Sequence, residues 1–571
     1  MVGMHIHVIP NRNSNPTILL RESYREAGKV KKRTLANLSH VPIDQVEALR
    51  RALKGEQLVP VDTLLEVIGS KHHGHVQAVR LAMKRLGFES LIASKRSRQR
   101  DLVVAMVAAR ILQPDSKLAT PRWWHTTTLP EDLGVADAGE DDLYAAMDWL
   151  LDRQARIEKK LAARHLREGG LVLYDLTSSY LEGEYCPLAA LGHNRDGKQG
   201  KLQVNYGLLA DERGCPVSTT VFPGNTADSM TVVVQAQKAR EQFGIDRLVL
   251  VGDRGMISQP QIDRFKEMGG VDWISALRSG QIRKLLNDET IELGLFDERD
   301  LFEFTHPEFP DERLVVCRNP LVAERRAHKR EALLQATITE LETVKGMVER
   351  GRLSAKEKIG VRVGRVVNKY KVAKHFQLTI DDREFSYRLL NEKVAAEATL
   401  DGLYVIRTSV SEERLSAEDT VRHYKDLAKV EQAFRSLKSI DLKVRPIYHH
   451  LEKRVRAHIF LCMLAYYVEW HMKQAWRVLL FSDEDQQAKE TRDPVAPAKR
   501  SVKALAKVHS RRLEDGSPAH SFRTLLESLS TIVRDTCRHK GAQLNERCFT
   551  MTTTPNAKQQ RALDLIDAIT V

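Results

Sequence analysis

Leu171-Val172-Leu173-Tyr174-Asp175-Leu176-Thr177-Ser178 sets one carboxylate in a run that is otherwise apolar. Closed by Gly170 on one side and by Thr and Ser on the other, the run reads as a strand buried on both faces. A buried acid without a partner is costly, so Asp175 is expected to be paired, hydrogen-bonded or bound to a metal. The same pattern returns in Arg247-Leu248-Val249-Leu250-Val251-Gly252-Asp253-Arg254-Gly255, an apolar strand that delivers a second acid at its exit. Two such strands suggest one site.

Composition sets the outer limits. A chain of 571 residues exceeds what a single core supports and predicts about three or four domains. Its 89 basic and 76 acidic residues leave a net charge of +13, which suits a polyanionic partner. The six cysteines contain no CxxC pair, so neither a zinc site nor a disulfide framework is indicated, and a reducing compartment fits. The N-terminus lacks a cationic start followed by an apolar core, and the longest apolar segment, Ala457 to Tyr467, is too short to span a bilayer. A cytoplasmic protein is expected.

Outward from the two strands, the pattern divides the chain. Residues 1–70 read as a basic, mainly helical DNA-binding region, with extended pieces around Gly28 and a helix from Pro42 to Leu53. Residues 71–168 read as a helical DNA-binding or linking domain. Its loop Ser94 to Arg100 carries Lys95, Arg96, Arg98 and Arg100, a candidate phosphate contact. A long helix from Leu143 to Leu166 leads into the Leu171 strand. Residues 169–277 then give three strands, a helix, a strand, a helix and a strand. That order describes an α/β ribonuclease H-like sheet in which the first and fourth strands are neighbours, so that their acids converge. Residues 278–400 read as a large insertion with a charged helical hairpin. Residues 401–480 complete the core, and 481–571 form a helical C-terminal region behind a linker from Ser482 to Arg500.

A third acid with the right setting appears only beyond the insertion, at Glu431. Tyr424, Glu431 and Lys438 are spaced by sevens, which puts them on one face of a helix. Leu427, Ala428 and Phe434 place Glu431 within an apolar stripe. An exposed Glu431–Arg435 pair is the plainer reading of this helix alone; beside Asp175 and Asp253 the acidic-site reading is the stronger.

Five segments together carry a likeness to a known family: Tyr174-Asp175-Leu176-Thr177-Ser178, Gly192-His193-Asn194-Arg195-Asp196-Gly197-Lys198, Phe222-Pro223-Gly224-Asn225-Thr226, Val251-Gly252-Asp253-Arg254-Gly255-Met256, and the Tyr424 to Lys438 helix. In order and context the chain resembles the DDE transposases of the IS4 superfamily, particularly the IS1634 group. The resemblance implies Asp175, Asp253 and Glu431 as the catalytic, metal-holding acids. The superfamily's helix signature sets an arginine where this chain has Leu427, so that arginine's DNA contact does not carry over; Lys425 and Arg435 are the candidate substitutes.

The implied chemistry suits these residue types. Phosphodiester cleavage passes through a crowded anionic centre, and two Mg²⁺ ions about 3.5–4 Å apart activate the attacking oxygen and stabilise the leaving one. Asp175 is expected to bridge both ions, with Asp253 and Glu431 each holding one; Mn²⁺ is an expected substitute. Water attacks at a transposon end, and the released 3′-hydroxyl attacks target DNA. Arg195, Lys198, Arg254, Tyr424 and Lys438 are expected to contact DNA, while Asp228 is expected to cap a helix. The implied partners are double-stranded DNA, as terminal inverted repeats and as target, and a second copy of the chain. A structure-selective nuclease or resolvase without strand transfer, and a DNA-binding regulator without catalysis, are the competing readings.

Overall fold

The computed structural model describes residues 3–12, 14–56, 65–288, 291, 300–485, 492–495, 500–539 and 548–570. It forms two compact units, one of residues 1–71 with 533–553 and the other of residues 72–532 with 554–571.

The first unit is built mainly of strands. Gly3–Ile9, Thr17–Glu26 and Lys29–Asn37 form an antiparallel sheet, and the helix Ile43–Leu53 follows. Ala27 and Gly28 turn the second hairpin with φ of 49° and 75°, the left-handed pair that matches strand twist in a two-residue turn. A second sheet joins Leu65–His72 to Val533–His539 and Phe549–Thr552. The expected mainly helical N-terminal region is therefore corrected: the polar, basic run around Gly28 is a hairpin on which Arg25, Lys29, Lys31, Lys32 and Arg33 are exposed. The C-terminal region is likewise only partly helical, because two of its segments return as strands to this unit. The linker read at 482–500 lies partly outside the described residues.

The second unit is organised around an eight-stranded mixed sheet. Its spatial order is Leu301–Phe304, Arg313–Arg318, Leu403–Thr408, Val271–Ala276, Leu248–Val251, Leu171–Tyr180, Gln203–Asp211 and Pro216–Pro223. The Leu171 and Leu248 strands run parallel, with Leu173 opposite Val251. The Leu248 and Val271 strands are also parallel; the remaining pairs are antiparallel. Side chains of the Gln203 strand are buried throughout, as a central strand covered on both faces requires. Gly207 is needed there, since a Cβ at this position would lie 2.2 Å from the Tyr174 hydroxyl on the neighbouring strand.

Helices Gly74–Arg85, Arg98–Leu112, Glu140–Leu151 and Glu452–Ala475 share one apolar core with this sheet. Packing is thus continuous across the boundary read at residue 168. The expected helix from Leu143 to Leu166 is two helices, Glu140–Leu151 and Gln154–His165. Arg153 ends the first by donating to the Trp149 carbonyl at 3.0 Å, with its guanidinium 3.8 Å from the Trp149 ring centre. Residues 301–318, read as insertion, extend the main sheet instead. The separately cored piece is the long hairpin Pro320–Glu349 and Lys356–Tyr370 with the strands Phe376–Ile380 and Phe385–Leu389. No helix among the described residues is long and apolar enough to cross a membrane.

Candidate active site

Register brings the first two acids together. Leu173 pairs with Val251 on parallel neighbours, so Asp175 and Asp253 each stand two residues further along strands about 4.8 Å apart. Asp253 has just left its strand, where its Oδ1 accepts the Gly255 N–H at 2.9 Å. Glu431 arrives from the helix Leu427–Arg435. That helix is docked on the sheet by Leu427, Val430, Ala433 and Phe434, the Phe434 ring meeting Tyr206 edge-on at 5.9 Å.

Asp175, Asp253 and Glu431 line one open cleft of about 500 Å³. Asp175 is half-buried and Asp253 and Glu431 are exposed. Burial, opposed by the Leu176 N–H and reinforced by the Asp253 charge, pushes the Asp175 carboxyl up to about 7. Leu176 donates that hydrogen bond to Asp175 Oδ1 at 2.8 Å. Glu431 sits at the exposed edge of the apolar stripe, not within it, and no ion pair joins it to Arg435, which lines the same cleft. Of the two candidate substitutes for the missing arginine, Lys425 is committed elsewhere, donating to the carbonyls of Pro494 and Val495.

The helix signature is not one continuous helix. It breaks at Asp426 between Ala417–Lys425 and Leu427–Arg435, then widens into a π-helical turn, Ser436–Ile440. The wider turn carries Lys438 off the exposed face of Glu431 and into the protein. There its Nζ lies 2.7 Å from Asp196, which also holds Arg445 and is 2% exposed. Lys438 therefore lines the cleft as a paired cation instead of an open DNA contact. Tyr424 stands close by, its phenol raised to about 12 by burial and then by the Asp253 carboxylate.

Arg195 and Asp228 also differ from expectation. Arg195 Nη2 reaches both Asp228 oxygens at 2.5 Å, so the arginine lies at the cleft wall, not on a loose surface loop. Asp228 begins the helix Ser229–Glu241 without a side-chain capping bond, because its carboxylate is taken by Arg195. Arg195 Nη1 is buried with no hydrogen-bond partner among the described residues. Lys198 lies outside the cleft lining, its ammonium 5.8 Å from the centre of the Tyr180 ring. Arg254 is exposed and makes no ion pair with Asp253.

Two buried amides explain why the glycine-flanked motifs belong to this site. Gln203 Nε2 donates to the His193 carbonyl at 3.1 Å and the Gly224 carbonyl at 2.9 Å, and Asn205 Nδ2 donates to the Thr226 carbonyl at 3.0 Å. The loops bearing Arg195, Asp196 and Asp228 are thereby fixed to the strand beside Asp175. A Cβ on Gly192 would fall 2.0 Å from the Gly224 carbonyl, so their close approach requires glycine. Sequence reasoning missed Asp196 and Arg445 as site residues; the Gly192–Lys198 motif carried a signal for the first, and nothing local marked the second.

The basic loop at 94–100 is largely neutralised. Arg96 donates to Asp101 at 2.8 Å, Arg98 to Asp137 at 2.9 Å, and buried Arg100 lies 3.3 Å from Asp101. Lys95 is exposed. All three arginines are thus ion-paired, with acids from the same helix and from the 137–142 segment as partners.

A family model described as the transposase DDE domain matches residues 171–468. A second, the IS1634 family transposase N-terminal domain, matches residues 6–59. No curated protein matches the chain. Among solved structures, a piggyBac transposase synaptic complex with hairpin DNA is similar at 9% identity and a TM-score of 0.31, over 80% of this chain and 77% of that one.

Proposed function

The chain belongs to the DDE transposases of IS1634 type, and from that premise we propose that it cleaves DNA at the ends of an insertion sequence and joins the released 3′-hydroxyls to target DNA. Supporting this reading above all is the cleft in which Asp175, Asp253 and Glu431 meet. The order of strands and helices around the first two acids supports a ribonuclease H-like fold for the core.

The donor set suits hard divalent cations, which prefer carboxylate oxygens. Three acids at one cleft, one of them with a raised pKa, are short of compensating positive charge. Asp175, Asp253 and Glu431 would hold two Mg²⁺ ions, with Mn²⁺ as a substitute. Such ions polarise the attacking and leaving oxygens of a phosphodiester. The protein's own part is positional. Parallel register holds Asp175 beside Asp253, the docked helix presents Glu431, and the Arg195–Asp228 and Lys438–Asp196–Arg445 pairs shape the walls. Arg435, exposed on the cleft wall, is the candidate donor to DNA phosphates. Lys95, Lys198, Arg254 and the basic strands of the first unit are further candidate contacts. A homodimer on DNA would allow both ends to be cut together.

The test is cleavage and strand transfer by the full chain on DNA carrying the element's ends, with Mg²⁺ and a target duplex. Joined product is expected from the native chain, and Asp175→Asn, Asp253→Ala and Glu431→Gln should each reduce cutting to background while DNA binding persists. Undiminished cutting by Asp253→Ala would refute the assignment.

A further inference from the structure

A second cavity, of about 510 Å³, adjoins the acidic cleft. Arg445 lines both. Its wall carries Arg110, Lys117, Lys443, His449 and His458, and Asp115 is the one carboxylate among the described residues that line it. Arg110 and Lys117 are only 6% and 4% exposed, yet no ion pair or hydrogen bond compensates either among the described residues. Asp115 itself is exposed, its Oδ1 accepting the Ser116 N–H at 2.7 Å.

The electrostatic neighbours of this group are almost all positive. Lys117 is pushed down to about 7 by burial and then by Arg110. His449 is lowered to about 3 by burial, then by Lys117, Arg110 and Arg454, and burial, Arg110, His449 and Lys117 lower His458. His458 Nε2 lies 3.1 Å from the Val444 carbonyl, and its Nδ1 is buried without a partner among the described residues. Buried cations are ordinarily paired or hydrogen-bonded, because desolvation without compensation is costly. Here no carboxylate among the described residues pairs with Arg110 or Lys117, and Asp115 is turned to the adjoining backbone. A polar, roomy cavity lined by two buried, uncompensated cations is complementary to a compact anion with several acceptor oxygens.

We infer that this cavity binds a phosphate of the polynucleotide whose neighbouring linkage occupies the acidic cleft. The assignment rests on the proposed function for its choice of a polynucleotide over a free phosphate. Arg445, held by Asp196 between the two cavities, gives the strand a continuous cationic edge from one to the other. Phosphate contacts of this type position a strand without reading its sequence.

The test uses the full chain in EDTA, so that a protein without cleavage activity still reports on the pocket. A short fluorescein-labelled oligothymidylate is titrated at several salt concentrations. Lys117→Met and Arg110→Met should each weaken binding about tenfold and flatten the dependence of log K on log salt by about 0.7 for each phosphate no longer neutralised. Lys117→Arg should retain binding. Neither Met variant should lower the thermal midpoint of the unliganded chain, since each removes an uncompensated buried charge. Inorganic pyrophosphate, the second probe, should raise the midpoint of the native chain and compete with the oligonucleotide. Unchanged affinity and salt dependence in both Met variants would overturn the inference. Protection by pyrophosphate with no competition from oligothymidylate would overturn the polynucleotide assignment.

Discussion

At the scale of single residues, charge compensation decides what each side chain does. Asp175 is the most buried of the three proposed catalytic acids, held by one backbone N–H and facing a second acid. Mg²⁺ at a few millimolar should raise the thermal midpoint of the native chain, and Asp253→Asn should diminish that rise; equal rises in both, measured by differential scanning fluorimetry, would exclude the acids as ion ligands. Gly207 offers a purely steric test. Gly207→Ala drives a methyl against the buried Tyr174 hydroxyl at 2.2 Å, and should cost about 1–3 kcal/mol in urea unfolding. Glu431 was legible as a candidate from its spacing and apolar stripe taken together with Asp175 and Asp253, whereas the commitment of Lys438 and Arg195 to Asp196 and Asp228 was not. Those partners come from loops distant in sequence, and an ion pair leaves no periodicity behind.

Among elements, the Leu427–Arg435 helix shows how a motif is held in place. Its apolar side docks on the sheet, and the turn that follows is anchored from behind by the buried group Ser436, Asp441, Glu469 and Lys473. Lys473 lies 2.7 Å from Asp441 and 2.5 Å from Glu469, while burial raises the Glu469 carboxyl to about 7. Lys473→Met would strand two buried acids, and should cost about 3–5 kcal/mol with a matching fall in the urea midpoint. Glu469→Gln should cost less, since burial raises this carboxyl to about 7 and its neutral form resembles the amide. The break at Asp426 and the π-helical turn escaped the sequence reading because a heptad spacing counts residues and assumes a regular helix. The hairpin at Ala27-Gly28 was legible as extended pieces around a glycine turn, although the region as a whole was expected to be mainly helical.

For the whole molecule, acid sensitivity is the property that many sites share. Burial holds His75, His449 and His471 down to about 3 and His165 to about 4, against an ordinary value of 6.5. The unfolded chain therefore takes up protons first as pH falls below about 6.5. The folded state stays neutral at these positions until its own lower values are reached. Stability is full above 6.5 and is lost progressively toward 4, by about 1.4 kcal/mol per pH unit for each histidine. The thermal midpoint should fall steeply between pH 6.5 and 5, and a flat profile there would contradict the burial of these rings.

The sequence by itself determined the local facts: two apolar strands each ending in an acid, the order of strands and helices between them, and a third acid on a sheet-docking helix. These follow from short-range patterns of burial and turn formation, which a chain states openly. Only the tertiary structure decided which charges face one another. It placed Asp175 opposite Asp253 by parallel register, withdrew Lys438 and Arg195 into ion pairs, returned the C-terminal strands to the first unit, and gathered Arg110 and Lys117 around a cavity in which no described carboxylate pairs with either. Such outcomes depend on contacts between segments separated by tens to hundreds of residues, where Coulomb attraction and desolvation act through space and residue spacing carries no record of them.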